Sequence, residues 1–590
     1  MLIDRLDDLP TETSLEADIV VVGGGPCGLS VARELIDSGL RVLVLESGLT
    51  LETKEHAALN TVDKPPLDGD DRMHEMRAAY HSALPSLWDE EQQRFGVRCR
   101  GLGGSTQAWA GKSASFDEID FEHRSWIPHS GWPISRQSLA PYVDRAGRIL
   151  NLGPNTYDDS FWDLAGQQPP RPEINSQDFT SFFWQFSRSR LEPLETMRCG
   201  ADFATLDADN VRVLVNATVT RICSDDSGER FDRLDVSTID GRQSTVRAKA
   251  CVLAASTIEN ARLLLLSTDT HPSGLGNRND LVGRYLTDHV QTQLGTFDQS
   301  SAQAISRRFG FFGLRHAGRS HMYSHGLALS KYRQVSENLS NGAVYFMETR
   351  AEDDPVSALG RLVRRRSTAP YSDIATVARS PGHLLKTVGL KTLESDRMPE
   401  RVRHLIVESV VRRLPNMAAR EYRFRGLPHK LTGAEVQGIV EQVPDRNNRV
   451  TLSLRQDPLG LAMPLIQWRV ASQEQNTMLR MAEILRDSFV SAGMPCPETP
   501  EWVSQRQPEA ATLIDMGHTM GTTRMSESPS TGVVDTNLRL HDVQGVYLAG
   551  GSVMPTTGHA NPTLMMVALS IRLADHLKRE YCAVARVASP

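Results

Sequence analysis

The sequence predicts an α/β fold, and three local patterns carry that prediction. Residues 18–22 read D-I-V-V-V, an apolar, β-branched run suited to a strand covered on both faces of a parallel sheet. That run enters Gly23-Gly24-Gly25-Pro26-Cys27-Gly28 and then an amphipathic stretch, residues 29–38, which gives the order strand, tight turn, helix. A second strand, small-residue turn and helix recur at residues 252–262, V-L-A-A-S-T-I-E-N-A-R, as expected of a chain that returns to the same sheet.

Each element follows from its residues. Gly23 permits the turn, Gly25 lets backbone approach a pyrophosphate, and Gly28 lets helix and strand pack closely. A pyrophosphate then rests on the free N–H groups of a helix whose first turn holds Pro26 and Cys27. Residues 41–45 form the next strand and close on Glu46, 18 positions after Gly28, an acid placed to accept hydrogen bonds from a ribose. The acid favours FAD or NAD over NADP, and the position near the start of the chain favours FAD. Residues 101–111 hold four glycines, small hydroxyls and one Trp, and Gly103, Gly104, Ser105, Trp109 and Ala110 suit backbone laid against a flat ligand. An ordinary surface loop is the alternative there. Residues 213–219 are expected to form one further apolar strand, with Thr218 and Val219 at its end and Ser256 in the second turn all assigned to the cofactor.

Toward the C terminus, residues 517–525 place His518 in a turn-rich setting, and residues 546–549 read as a strand ending at Gly550-Gly551-Ser552. Gly558-His559-Ala560-Asn561-Pro562-Thr563 opens an apolar helix through about Leu577. Pro562 in the first turn leaves N–H groups and the positive dipole end free, which suits an anionic reduced flavin. A satisfied structural histidine is the alternative for each His.

The composition sets bounds. The 590 residues carry 65 Lys and Arg against 72 Asp and Glu, a net charge of −7 that argues against non-specific nucleic-acid binding. Seven scattered cysteines, with no CxxC pair, supply neither a disulfide framework nor a metal site. The first residues lack the basic and apolar regions of a secretory signal, and no apolar run reaches the length of a membrane span, so a cytoplasmic setting is expected.

These blocks together resemble the glucose–methanol–choline (GMC) oxidoreductases, FAD-dependent alcohol oxidases and dehydrogenases. The resemblance rests on GGGPCG, LGGST…W, VLAASTIENARLLLLS and HTMGTTRM…GVVD…GGSVMPT…ANPT, and it spans residues 18–577. Gly276-Asn277 with residues 281–289, and residues 441–445 leading into 449–452, fit the same pattern. The tail, with ANPT in place of a second catalytic His, is similar to the bacterial branch of pyranose oxidases and glycoside 3-oxidases. The resemblance implies a Rossmann-like FAD-binding domain from residues 1–60, 95–118, 200–295 and 505–590. That domain is interleaved with a substrate domain from 119–199 and 296–504, built on an antiparallel sheet with helices.

The resemblance also implies roles. His518 becomes the base that removes the O–H proton while hydride passes to flavin N5, and Asn561 its partner. Gly551, Asn561, Pro562 and Thr563 lie at the cofactor, with His559 and Gln442 facing substrate. The expected reaction oxidises a CH–OH group, foremost a secondary hydroxyl of a sugar or glycoside, with oxygen, a quinone or another carrier accepting the electrons. A non-sugar alcohol, a flavin-containing non-redox lyase and a docked flavoprotein are the alternatives. Where pyranose oxidases carry a flavin-linked His this chain has Ala108, which implies non-covalent FAD. Ser256 and Asn260 replace the Gly and Ser usual in the second signature.

Two features stand outside the pattern. Trp126, Trp132, Trp162 and Trp184 fall in the substrate portion, where their rings either stack on a sugar or fill a core. Residues 358–420 hold 13 Lys and Arg against 5 Asp and Glu, a local charge of +8. Residues 364–366, 383–393 and 400–414 read as basic helices with apolar faces. They suit an acidic membrane surface, an acidic partner or a lid, or else a solvated helical insertion or oligomer contact.

Overall fold

The computed structural model describes residues 2–65, 70–81, 87–199, 203–350, 355–363, 369–378, 393, 395, 398–424 and 431–582. Two sheets organise it. The first is a six-stranded parallel sheet in the order Leu2–Arg5, Val211–Val215, Val42–Leu45, Ile19–Val22, Ala250–Leu253, Val546–Leu548. Its central strands are buried along their whole length, which is why they read as unbroken apolar runs rather than as alternation.

The register brings the strand ends level: Val22 pairs with Leu45 and Leu253, Leu45 with Leu214, and Leu253 with Leu548. Five turns therefore leave the carboxyl edge together, at Gly23, Glu46, Asn216, Ala254 and Ala549. That edge is where open α/β sheets hold ligands. The helices α1 (Pro26–Glu34), α2 (Thr257–Leu266) and α3 (Thr563–Leu577) start from this edge region, and α1 packs on α3.

One strand differs from expectation. Residues 213–219 do not form a single strand, because Asn216 takes φ 54°, in the left-handed region. The chain turns there, so Val211–Val215 stays in the parallel sheet while Thr218–Ser224 enters a separate four-stranded sheet with Phe231–Ser237, Gln243–Arg247 and Ser14–Glu16. Asn is among the residues that tolerate this conformation.

The second large sheet is antiparallel. It runs Ile514–Asp515, His289–Phe297, Leu431–Glu441, Gly342–Arg350, Arg319–Leu329, Phe179–Phe186, Lys112–Ser113, with Phe311–His316 also paired to Arg319–Leu329. One end of this sheet begins at His289 and Asp515, and the other carries Lys112.

Within the basic stretch, helices occupy Pro355–Val363, Pro370–Ala378, Glu400–Arg413 and Pro415–Phe424. Residues 364–366 and most of 383–393 lie outside the described residues. Glu400–Arg413 packs through Val407 and Val411, and Glu408 pairs with the buried Arg188, while Leu405, Arg412 and Arg413 face outward. No described helix is long and apolar enough to cross a membrane. Cys27, Cys223, Cys251, Cys496 and Cys582 are free thiols.

The turn after the first strand tests this packing. A Cβ on Gly28 would stand 2.0 Å from the Gly23 carbonyl oxygen, backbone that cannot yield without moving the strand or α1. Gly28→Ala is expected to destabilise the fold by at least the ~1–3 kcal/mol of an overpacked core. Thermal denaturation reads this as a lower melting temperature, and an unchanged melting temperature would contradict the packing.

Candidate active site

One cavity runs along the ligand edge of the parallel sheet and reaches the antiparallel sheet. At its first end, Gly23 at φ 105° turns the chain where a Cβ would meet the Ala254 carbonyl oxygen at 2.5 Å. Gly25, Pro26 and Cys27 line the cavity at the start of α1, whose first N–H groups have no partner within the helix. Gly28 and Gly103 do not line it. Gly28 lies beneath the turn as a packing position, and Gly103, at φ 102°, bends the covering loop.

Glu46 is held by two backbone donors: Gly24 N–H gives to Oε2 and Gly48 N–H to Oε1, each at 2.8 Å. Burial pushes its carboxyl up from the ordinary value. Both oxygens keep lone pairs for a diol. Thr218 and Val219 line the wall beside it, where the Thr218 and Ser47 hydroxyls hydrogen bond at 2.9 Å. The covering loop passes so close that a Cβ on Gly104 would stand 2.9 Å from the Gly25 Cα. It presents Ser105, Trp109 and Ala110 to the cavity.

Charge in this half is compensated. Arg98, Arg100 and Arg262 surround Glu259, and Arg262 also binds Asp457 at 2.6 Å. Burial works against a charged Glu259, yet Arg100, Arg262 and Arg98 hold its carboxyl down to about 2.

At the other end, α3 begins with Pro562 and Thr563 in the wall, and Gly551 and Asn561 stand beside them. His518 also lines the cavity, on the loop after Ile514–Asp515. Its Nε2 is 3.2 Å from Asn561 Nδ2 and its Nδ1 is 3.0 Å from His289 Nδ1, while His289 Nε2 is 3.2 Å from the Thr557 carbonyl oxygen.

These contacts assign the protons. A carbonyl only accepts, so His289 carries hydrogen on Nε2 and donates to Thr557. Burial pushes His289 down to about 3, so it is singly protonated at neutral pH and its Nδ1 is an acceptor. His518 Nδ1 must then donate to it, which leaves a bare lone pair at His518 Nε2, aimed at the Asn561 amide. Burial, reinforced by His289, Lys112 and His81, keeps His518 well below the ordinary imidazole value and hence neutral. Its backbone is fixed as well: Asp288 Oδ1 accepts from the N–H groups of Met516 and His518 at 3.1 and 3.0 Å.

Two expected substrate residues are placed elsewhere. Gln442 Oε1 accepts from Asp288 N–H at 3.0 Å and from Trp468 Nε1 at 2.7 Å, and its Nε2 donates to Arg469 carbonyl at 2.8 Å, so both ends of the amide are engaged in structural contacts. His559 is buried behind the cavity, bound through Nδ1 to Asn341 at 3.1 Å with its ring against Phe182. Sequence reasoning missed His289, Asp288 and Lys112. For His289 the only signal was its place in the block 281–289.

The cavity fits FAD on its own donors. Trp109 Nε1, Ser256 Oγ and Asn561 Oδ1 are buried polar atoms in its wall without a hydrogen-bond partner among the described residues. Unpaired buried polar groups at a ligand wall are what a polar cofactor satisfies. The helix N terminus at Gly25 suits a diphosphate, Glu46 a ribose, and the α3 N terminus the polar edge of a flavin.

Comparison with known proteins agrees. Residues 444–570 match the family model GMC oxidoreductase, and residues 18–104 match FAD binding domain. The chain is 24% identical to the fructose dehydrogenase large subunit of Gluconobacter japonicus, over 95% of this chain and 98% of that protein. It is 25% identical to 2-methyl-1,2-propanediol dehydrogenase of Mycolicibacterium austroafricanum, over 97% of each chain. Among solved structures, pyridoxine 4-oxidase from Mesorbium loti superposes with a TM-score of 0.52 at 16% identity, covering 95% of this chain and 99% of that one, and shares the fold.

The proton assignment is directly measurable. Nitrogen-15 spectra of imidazole-labelled protein at pH 7 are expected to show His518 protonated on Nδ1 and His289 on Nε2. A His518 proton on Nε2 would overturn the assignment.

Proposed function

We propose, from the premise that this chain is an FAD-dependent oxidoreductase of the GMC type acting on alcohol-class substrates, that it oxidises a secondary hydroxyl of a sugar or glycoside with His518 as base. One observation carries this reading: a single neutral lone pair, at His518 Nε2, stands in the cavity wall beside an amide donor and the N terminus of α3.

The residues divide the work as follows. In the free protein the Asn561 N–H occupies the His518 lone pair. An arriving hydroxyl takes that place, donating its O–H to Nε2, while the Asn561 N–H turns to the substrate oxygen. Negative charge that builds on this oxygen as the proton leaves is met by the Asn561 donor. When His518 takes the proton its Nδ1–H stays on His289, so the relay needs no rearrangement. FAD, bound along the cavity, supplies the acceptor for the hydride that leaves the carbinol carbon. In this reading the parallel sheet serves the cofactor and the antiparallel sheet the substrate.

The sugar assignment draws on the relative named fructose dehydrogenase. A non-sugar alcohol is the second reading, favoured by the equally similar relative named 2-methyl-1,2-propanediol dehydrogenase. An anaerobic screen over free sugars, glycosides and simple alcohols decides between them by which class bleaches the flavin. Reoxidation with oxygen and with quinones then identifies the acceptor. A chain that neither carries nor takes up FAD would sink the reading.

His518→Ala is expected to slow flavin reduction by roughly 10²–10⁴-fold, as for the loss of a general base. In the wild type the reduction rate should stay level as pH falls through about 6.5, where an ordinary imidazole starts to lose its lone pair, because His518 is held below that value. Stopped-flow absorbance checks both, and a limb centred near pH 6.5 would reassign the base. With Ala108 at the position of the linked His, the flavin is expected to stay in solution when the protein is precipitated with acid. Flavin that stays with the pellet would show a covalent link.

A further inference from the structure

Lys112 lines the cavity together with His518 and Asn561, at the start of the short strand Lys112–Ser113. Lys112 stands opposite Phe186 in the antiparallel sheet, so its side chain lies over the same face as residue 184, two positions away. Its Nζ sits 4.2 Å from the ring centroid of Trp184 and 4.2 Å from that of Tyr345. Both rings are fixed: Trp184 is fully buried, and the Tyr345 hydroxyl donates to Gln291 Oε1.

Among the described residues the Lys112 ammonium makes no hydrogen bond and no ion pair. This sets it apart from the other cations of the same cavity, since Arg98, Arg100 and Arg262 are all matched to Glu259 and Arg262 also to Asp457. No described carboxylate forms an ion pair with Lys112, and those near the sheet have other partners. Glu441 binds Arg124, Asp120 accepts from Asn341 and from the Asp117 N–H, and Asp288 holds backbone donors. Two ring faces attract an ammonium but accept none of its three N–H bonds in line. Burial accordingly pushes Lys112 down to about 7, and its charge in turn lowers His518, His289 and His559, which locates it near the catalytic end.

A buried amine without a counter-charge, in a wall where the arginines all contact carboxylates, is drawn to its charged form by an anion that arrives with a ligand. A neutral hydroxyl would satisfy a donor but not the charge. We propose that Lys112 is the specificity-determining residue for an anionic substrate, and that it binds a carboxylate of a hydroxyl-bearing acid whose carbinol lies at His518 and Asn561. This rests on the proposed alcohol oxidation and narrows it to hydroxy acids, with sugar acids among them. The aromatic pair holds the ammonium in place before the substrate enters, so the charge-assisted bond forms without first ordering a flexible side chain.

The test uses the oxidised, FAD-loaded protein without oxygen and two matched pairs: methyl glucuronide against methyl glucoside, and lactate against propane-1,2-diol. Acetate serves as a minimal carboxylate probe. Calorimetry gives the affinities and flavin absorbance the reduction. The expected result is that acetate binds and that at least one acid binds about tenfold or more tightly than its neutral counterpart, the scale of one charge-assisted hydrogen bond. Lys112→Met should abolish both effects while keeping FAD, and Lys112→Arg should retain part of the preference.

The wild-type comparison decides the matter even where a variant fails to fold. No preference for either acid and no acetate binding would overturn the assignment, as would a preference that survives in a folded Lys112→Met. Flavin bleached by the neutral alcohols without any acid preference sinks only the role of Lys112. Flavin bleached by no alcohol of any class sinks the proposed function itself.

Discussion

The site depends on one backbone carbonyl. Thr557 offers only lone pairs to His289 Nε2, and that single asymmetry propagates through two imidazoles to leave His518 Nε2 bare. Most of the surrounding structure keeps that line straight. Trp468 and Arg469 hold the Gln442 amide, which holds the Asp288 N–H, while the Asp288 carboxylate holds the backbone of Met516 and His518. Gln442 is therefore linked to His518 through two hydrogen bonds, one to Asp288 and one from Asp288. An imidazole free to flip would spend part of its time with hydrogen on the wrong nitrogen.

The parts of this line come from distant stretches of chain, and buried ion pairs tie them together. Arg77 binds both Asp515 and Glu90, joining the helix Asp70–His81 to the strand just before His518. Arg124 binds Glu441 at the end of the strand that leads into Gln442. Such pairs seldom add net stability, because removing two charges from water offsets their attraction. Their value lies in register: breaking one leaves an uncompensated buried charge, so alternative placements of these loops are strongly disfavoured.

The cofactor end was legible in the sequence because close backbone approach leaves glycine at fixed positions. Gly23, Gly28 and Gly104 each stand where a Cβ would meet backbone within 3 Å, and all three belong to the glycine-rich blocks of the sequence. His518 and Asn561 came from the resemblance to a family, and the cavity does bring them together. His559 was misplaced for a physical reason. Lying two residues before Asn561 says nothing of direction in an irregular turn, and its side chain points back among Phe182 and Asn341. His289 and Lys112 were not legible because their importance comes from what the sheet sets beside them. The break at Asn216 was hidden in an apolar run, where one left-handed residue separates two sheets.

The distribution of charge along the cavity follows from what each end must do. The cofactor half carries Arg98, Arg100 and Arg262 against Glu259 and Asp457, a set of charges that compensate one another at fixed positions. The other half presents neutral imidazoles and an amide. A carboxylate placed beside His518 would favour its protonated form and occupy the lone pair before any substrate arrived. An unpaired cation does the opposite: it keeps the imidazole neutral in the resting state and, once a ligand charge cancels it, lets the proton affinity of His518 rise. Lys112 stands near enough to act on His518 in this way. On the proposed reading, the side chain that would bind an acid would also ease proton uptake at His518 once the acid is bound, a contribution that adds to the larger effects of burial and His289 on that imidazole.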